Sequence, residues 1–183
     1  MHHVFYRFIF LLCLAPFFGA CQSKQNSKTG SATSNEELRE QMIERNRNML
    51  SQEKNWMEGF IEENGWQDSM LATGNGSYIM MDVSFPERPR IESQQEVTFR
   101  FRSFLLDGTA LYEEDDDVVT WKIDRTDGTL GLHDILKKMA VGEQARALLP
   151  SYQAYGLAGD LNEVPPRSPI YFELEILDVR TFN

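Results

Sequence analysis

The last regular segment of the chain, residues 170–179, alternates apolar with polar or amphipathic side chains. Its apolar positions are Ile170, Phe172, Leu174 and Ile176, and between them stand Tyr171, Glu173 and Glu175. Successive side chains of a β-strand point to opposite faces of a sheet, so this pattern predicts a strand with one buried face. Such a face must be covered by another layer, and this requirement constrains the fold more than any other feature of the chain.

Further strands and one short helix are predicted before this segment. Val97, Phe99 and Phe101 alternate with polar residues, which predicts a half-buried strand. Other strands are predicted at 77–83, 118–123 and 144–149. Residues 130–139 carry apolar side chains at helical spacing, which predicts a short helix that stops near Gly142. Antiparallel strands with one short helix predict an α+β domain, over residues 67–183, in which the sheet wraps around the helix.

The beginning of the chain has the composition of an export signal. Arg7 precedes an apolar run over residues 8–18, and the small residues Gly19 and Ala20 follow it. A short charged region, an apolar core of this length and small residues at its end are typical of a secretory signal peptide. The sequence therefore predicts a signal peptide at residues 1–20.

Cys21 stands directly after the predicted signal peptide. The order Gly-Ala-Cys resembles a bacterial lipobox, in which the Cys is lipidated and becomes the mature N-terminus. The alternative is an ordinary signal peptide followed by an incidental Cys. Lipidation implies a cell-envelope protein that is periplasmic and attached to a membrane through Cys21. Gln22, in place of Asp, favours the outer membrane.

A polar tether and a helical arm are expected between the anchor and the domain. Residues 21–35 are small and polar, which predicts a flexible tether. Ser34 and Glu37 have the spacing of a capping box, so a helix is expected over residues 36–66, ended by Gly65. Its apolar residues form two columns at heptad spacing, Met42/Met49/Trp56 and Ile43/Leu50/Met57. This stripe needs a partner, and both its own domain and a second copy of the chain, as a homodimer through residues 36–66, stay open.

Charge and motifs exclude several classes of function. The net charge of −10 would become −11 once Arg7 left with the signal, and such a surface repels nucleic acid. The sequence contains no nucleophile elbow, phosphate-binding loop or Cys/His metal motif, so neither a cofactor nor a metal is expected. His133 would be the one histidine of the mature chain, and it is expected on the solvated face of the short helix rather than as a base.

Three motifs follow one another in the C-terminal half: the turn Ala154-Tyr155-Gly156, the pair Pro165-Pro166 and the final alternating strand. This order resembles the FK506-binding-protein (FKBP) family of peptidyl-prolyl isomerases, and the resemblance extends over residues 68–180. With its helical arm, the chain is similar to the gliding-motility-associated FKBP lipoproteins of Bacteroidetes. The resemblance implies an FKBP-like antiparallel sheet wrapped around one short helix, with an apolar pocket that holds a proline ring.

The resemblance also implies which residues form that pocket. The residues it implies as catalytic are Tyr155, whose hydroxyl would donate to the bound ligand, and the wall aromatics Phe101 and Phe172. Those it implies as substrate-binding are Val119, Trp121, Thr129, Leu132, Val164, Leu111 and Tyr112. Leu111-Tyr112 stands where the family commonly has Phe-Asp, so the carboxylate of that place is expected to be absent.

Prolyl isomerisation suits a chain without an acid–base pair, because it makes and breaks no covalent bond. The planar amide is separated from the twisted one by about 18–20 kcal/mol, and an apolar pocket that strips water from the carbonyl favours the twisted form. The expected function is isomerisation of proline-containing exported polypeptides. The alternatives are a non-enzymatic chaperone or assembly factor on the same fold and a structural lipoprotein of a motility or secretion machine.

Overall fold

The computed structural model describes residues 29–112, 117–125 and 128–181. The predicted signal peptide at 1–20, Cys21 and the predicted tether up to residue 28 lie outside the described residues. The chain divides into two compact units, Met1–Gln41 and Met42–Asn183. Among the described helices, none is both long enough and apolar enough to cross a membrane.

The N-terminal helix, α1, spans Thr29–Glu63. It therefore begins inside the predicted tether, and the predicted start at a capping box formed by Ser34 is wrong. Extending a helix is cheap once it has been nucleated, because each further residue adds one hydrogen bond. The small polar residues before Ser34 include no proline that would stop the helix in its N-terminal direction.

The C-terminal end of α1 agrees with the prediction at Gly65. Gly65 has a φ of +71°, a left-handed conformation that glycine adopts without steric cost. Its N–H donates to the carbonyl of Glu62 and the N–H of Trp66 donates to the carbonyl of Ile61, each at 3.0 Å. These two bonds form a Schellman motif. The motif turns the chain back so that the Trp66 ring meets the Phe60 ring edge-on, with centroids 5.7 Å apart.

Within the described residues, seven strands form one antiparallel sheet. They are β1 (Leu71–Ala72), β2 (Tyr78–Val83), β3 (Glu96–Leu105), β4 (Ala110–Leu111), β5 (Asp117–Lys122), β6 (Gln144–Leu149) and β7 (Ile170–Arg180). The strand order is β1-β2-β6-β7-β3-β4, and β5 also pairs directly with β3, along residues 96–101 of that strand. The predicted α+β class and the predicted strands are confirmed. Strands β1 and β4 were not predicted, because two residues are too few to show an alternation.

One face of the sheet packs on the second helix, α2 (Leu130–Leu136). The shared core contains Leu132, Ile135 and Leu136 from the helix and Phe99 from β3. The apolar positions of β7 that predicted this face are all buried in the same core: Ile170, Phe172, Leu174 and Ile176. Burying each such side chain stabilises the fold by about 1.5–3 kcal/mol, so this one strand contributes a large share of the hydrophobic stabilisation.

The other face of the sheet packs on the C-terminal half of α1. Tyr171 of β7 points to this face and is buried with Met57, Ile61, Met80 and Leu148. The Tyr171 ring lies 5.7 Å from that of Trp66 and 5.5 Å from that of Phe60, centroid to centroid. Within the unit Met42–Asn183, this part of α1 is therefore a layer of the domain. The unit Met42–Asn183 begins within the predicted arm at 36–66.

The two heptad columns of α1 do not share one partner. Residues Glu53, Met57 and Ile61, spaced four apart, are buried against the sheet. Met42, Ile43, Leu50 and Trp56 are between 50 and 56% exposed. Packing on its own domain therefore accounts for one side of the helix and leaves a second apolar side uncovered in the single chain.

Candidate active site

The predicted pocket residues come together in one part of the main core. The buried members are Leu111, Leu132, Val164 and Phe172, and the partly buried members packed against them are Phe101, Tyr112, Val119, Trp121 and Tyr155. Thr129 is the one predicted residue outside this apolar cluster. These residues come from strands β3, β4, β5 and β7, from α2 and from the loop after β6, so the fold assembles them from distant parts of the sequence.

Aromatic rings form one wall of the site. Phe99 is fully buried, and the Trp121 ring meets it edge-on with centroids 5.1 Å apart and planes at 84°. Phe101 follows two positions later on the same face of β3, with its ring centroid 6.3 Å from that of Phe172. The strand pairings explain these ring contacts. Trp121 pairs with Val97, two residues before Phe99, and Phe172 pairs with Ser103, two residues after Phe101, so each ring contact joins diagonal neighbours on one face of the sheet.

The first turn of α2 forms another side of the site. Leu132 is 2% exposed, and Thr129 stands at the N-cap. The carbonyl of Thr129 accepts the N–H groups of Leu132 and His133 at 3.1 and 3.2 Å. Its hydroxyl is buried and has no hydrogen-bond partner among the residues described.

His133 is not on a solvated face, so that prediction is wrong. Its side chain is 3% exposed, and its ring centroid lies 5.3 Å from that of Trp121. The cause is the enclosure of α2, of whose seven residues five are buried, so that the helix has almost no solvated side. In a helix of seven residues, the spacing of the apolar residues does not show that the polar positions are buried as well.

A flap, residues 156–168, connects the loop after β6 to strand β7 and covers part of the site. The N–H of Arg167 donates to the carbonyl of Gly156 at 3.1 Å, which closes the flap at its base. Gly159 has a φ of +72°, and a Cβ there would lie 2.0 Å from the carbonyl oxygen of Val164. Only glycine therefore allows the two limbs of the flap to approach so closely. The tip places the buried side chain of Val164 in the core cluster.

Asp160 of the flap brings a carboxylate to the place where the sequence predicts none. One oxygen accepts the N–H groups of Asn162 and Val164 at 2.9 and 2.7 Å, which orders the flap tip. The other oxygen accepts the hydroxyl of Tyr112. Leu111-Tyr112 lacks the acid common in the family, but the flap supplies a carboxylate that bonds to Tyr112 itself. The sequence could not show this contact, because its partners are 48 positions apart.

Tyr112 is held at both of its ends by the flap. Its backbone N–H donates to the carboxylate of Glu163, and its hydroxyl donates to Asp160. Its φ of +55° is in the left-handed region, which is costly for a residue with a side chain. The two flap carboxylates therefore offset the strain of this backbone conformation.

Tyr155 lies beside Tyr112, and each tyrosine influences the pKa of the other. The single proton of the Tyr112 hydroxyl goes to Asp160, so toward any further group this hydroxyl can only accept. Burial raises the pKa of Tyr155, and the charge of Asp160 adds to that rise against an opposing effect of Tyr112. Burial and the bond to Asp160 raise the pKa of Tyr112 still further. Both hydroxyls are therefore protonated donors at neutral pH.

Asp160 accepts the hydrogen bond from Tyr112 as an ionised carboxylate. Its partial burial alone would raise the pKa of its carboxyl. The bonds donated by Tyr112, Asn162 and Val164 outweigh burial and hold that pKa below its usual value. Across the described part of the chain, no group of three or more His, Cys, Asp or Glu side chains is placed to hold a metal ion.

Comparison with known proteins relates part of this domain to a known family. Residues 88–177 match the family model described as FKBP-type peptidyl-prolyl cis-trans isomerase. A protein of Pseudomonas aeruginosa named "Probable FKBP-type 25 kDa peptidyl-prolyl cis-trans isomerase" is 31% identical over 105 residues, which cover 57% of this chain and 45% of that protein. The human peptidyl-prolyl cis-trans isomerase FKBP9 is 30% identical over 89 residues, 44% of this chain and 15% of its own length.

Two solved structures have the same fold. The crystal structure of a peptidyl-prolyl cis-trans isomerase from Pseudomonas syringae aligns with a TM-score of 0.62 and 22% identity, over 74% of this chain and 96% of that one. The crystal structure of FkpA from Escherichia coli aligns with a TM-score of 0.59 and 18% identity, over 85% of this chain and 74% of that one. The family match therefore covers residues 88–177, and the two solved structures show the same fold. The chain spans less than half the length of the curated relatives that it matches.

The contact between Tyr112 and Asp160 predicts a measurable stabilisation of the flap. We expect Asp160→Asn and Tyr112→Phe each to lower the free energy of unfolding by about 1 kcal/mol, because each removes a hydrogen bond to a charged group. The double variant should lose less than the sum of the two, because both changes remove the same bond. Urea denaturation measures all three values.

Asp68→Asn is the matched control, because Asp68 is an exposed acid of the same domain. Its free energy of unfolding should stay within about 0.5 kcal/mol of the unsubstituted chain. A loss in Asp160→Asn no larger than in this control would contradict the stabilising role of the contact.

Proposed function

We propose that the chain is a peptidyl-prolyl cis-trans isomerase that assists the folding of exported polypeptides. The observation that carries this proposal is the placement of a protonated Tyr155 hydroxyl beside the apolar cluster of Phe101, Trp121 and Phe172. The match of residues 88–177 to the FKBP-type family model supports the same conclusion. The reaction needs no acid–base pair, cofactor or metal, because only rotation about the amide bond takes place.

The pocket would lower the barrier by favouring the twisted amide over the planar one. In the planar X-Pro amide, resonance places partial charge on the carbonyl oxygen, and water stabilises that charge. In the twisted amide the resonance is lost, so exclusion of water by Phe101, Trp121 and Phe172 costs the twisted form less than the planar form. The uncatalysed exchange takes tens to hundreds of seconds, so even a modest lowering of the barrier by desolvation alone would give a measurable acceleration.

Tyr155 would orient the bound peptide through its hydroxyl. In the free protein this side chain is partly buried against the aromatic rings of the core and lies beside Tyr112. On binding, its hydroxyl would donate to a carbonyl of the substrate, while Tyr112 remains bonded to Asp160. Thr129 would contribute its backbone amide beside the Leu132 floor, and Val119 and Val164 would close the apolar sides.

The test of the proposal is isomerase activity of the chain that lacks residues 1–20. We expect acceleration of a proline-limited refolding reaction and of cis–trans exchange in an X-Pro peptide. Tyr155→Phe should lower kcat/KM by about three- to tenfold, the loss of one hydrogen bond of about 1 kcal/mol. Tyr152→Phe is the matched control, because that tyrosine is 47% exposed and its hydroxyl bonds to the carbonyl of Asn75 at 3.3 Å.

Absence of acceleration by the unsubstituted chain would reject the enzymatic function. A second candidate, a chaperone that binds chains without isomerising them, is favoured by a cleft of about 740 Å³ beside the flap. Trp56, Phe60 and Pro169 line this cleft together with polar groups. A chaperone would still suppress the aggregation of an unfolded client, and its activity would not change in Tyr155→Phe.

We further propose that the protein acts in the cell envelope, attached to a membrane through a lipid on Cys21. The signal-like segment at residues 1–20 and the Gly-Ala-Cys order support this location. In cells that process lipoproteins, Cys21→Ser should move the protein from the membrane fraction to the soluble fraction. Recovery of both forms in the soluble fraction would reject the lipid anchor.

We also propose self-association through the uncovered side of α1. Ile43 and Leu50 are each 50% exposed and lie one heptad apart, which suits a parallel or antiparallel contact with the same helix of a second copy. Sedimentation of the chain without residues 1–20 should give the mass of a dimer, and Ile43→Lys with Leu50→Lys should give a monomer. A monomer in the unsubstituted chain at high micromolar concentration would reject the proposal.

A further inference from the structure

A buried carboxylate on α1 contacts the loop that carries Tyr155. Glu53 is 4% exposed although it belongs to the helix that precedes the family match. One of its oxygens accepts the backbone N–H of Ser151 at 2.8 Å, and the other accepts the Ser151 hydroxyl at 2.7 Å. Burying a carboxylate is expensive unless donors replace its water, and here Ser151 alone supplies two.

Ser151 in turn holds the backbone on both sides of Tyr155. Its carbonyl accepts the N–H of Ala154 at 2.9 Å and the N–H of Gly156 at 2.7 Å. Between these two bonds the backbone takes an uncommon course, with Ala154 at φ −111° and ψ −110°. Ser151 therefore holds the backbone on both sides of Tyr155, together with a bond from the N–H of Ala154 to the carbonyl of Pro150 at 3.2 Å.

We propose that Glu53 is a positioning residue for Tyr155 and that α1 is part of the isomerase site. Glu53 fixes the N–H and the hydroxyl of Ser151, Ser151 fixes the N–H groups of Ala154 and Gly156, and these fix the aim of the Tyr155 hydroxyl. An ionised carboxylate suits this task because it only accepts hydrogen bonds, so both donors of Ser151 must point toward the helix. The inference rests on the proposed function, since it assigns Tyr155 to the substrate.

The charge of the carboxylate matters more than the space that it fills. A Gln at position 53 keeps the size and one acceptor, but its amide group is a donor and would face one of the two donors of Ser151. The remaining bond would also lose its charge assistance. Glu53→Gln therefore loosens Ser151 without leaving a cavity in the core.

The first measurement is amide hydrogen exchange by NMR in the folded chain without residues 1–20. In Glu53→Gln we expect the amides of Ala154 and Gly156 to exchange about tenfold faster, because the loop opens more often when Ser151 is less firmly held. The amides of Phe172 and Leu174 in the central strand β7 report global opening and serve as the internal reference. Ser151→Ala, which removes only the hydroxyl donor, should produce a smaller change in the same direction.

The second measurement is kcat/KM for cis–trans exchange in an X-Pro peptide. Glu53→Gln should lower it by about tenfold, since a small misplacement of a group that contacts the substrate has a large effect on rate. The double variant Glu53→Gln with Ser151→Ala should lose less than the product of the two single losses, because both act through the same contact. Glu62→Gln, an exposed acid on the same helix, should leave kcat/KM and the amide exchange unchanged.

A purely structural role for Glu53 gives a different result. In that case Glu53→Gln lowers the melting temperature, while kcat/KM and the exchange of Ala154 and Gly156 relative to β7 stay as in the unsubstituted chain, and the inference is overturned. If the unsubstituted chain has no isomerase activity, the proposed function fails, and the exchange data alone decide the positioning. Faster exchange at Ala154 and Gly156 supports it, and unchanged exchange overturns it.

Discussion

Strand β7 lies between β6 and β3 and is buried on both of its faces, and the rest of the structure depends on this double burial. Phe172 and Leu174 point to the core that contains α2 and the pocket. Tyr171 points the other way, into the aromatic group formed with Phe60 and Trp66 of α1 and the turn that follows it. The sheet therefore needs two helical layers, and the domain is complete only with the C-terminal half of α1.

The main elements of the fold could be predicted because their signals are local. Alternation along β3 and β7 and helical spacing in α2 each reflect burial on one side, which the neighbouring residues alone reveal. The start of α1 was missed because helix propagation through Gly30 and Ser34 is decided by the rest of the helix, not by a cap. The enclosure of His133 was missed because it depends on Trp121, which arrives from a different strand.

The candidate site was predictable in part for the same reason. Motif order indicated Tyr155, Val164 and Phe172, and the structure brings them into one cluster. The carboxylate of Asp160 and that of Glu53 could not be predicted, because each acts on a residue far along the chain. Both carboxylates bind hydroxyl or amide donors near Tyr155, one from the flap and one from α1. The two carboxylates near Tyr155 therefore come from the flap and from α1, which a reading of the sequence places in separate elements.

The two faces of β7 contact two different groups of residues, and in evolution these groups can change in sequence at different rates. Ile170, Phe172, Leu174 and Ile176 face the core that holds the candidate site, so a change of substrate would select substitutions there and among the other residues of the site. Tyr171, on the opposite face, packs on Phe60 and Trp66 and on the sheet residues Met80, Phe104 and Leu148, so this layer can change without altering the site. Glu53 is the exception, since it reaches from that layer to the loop of Tyr155. Loss of α1 would leave the residues that match the family model in place and yet remove the carboxylate that holds the loop of Tyr155.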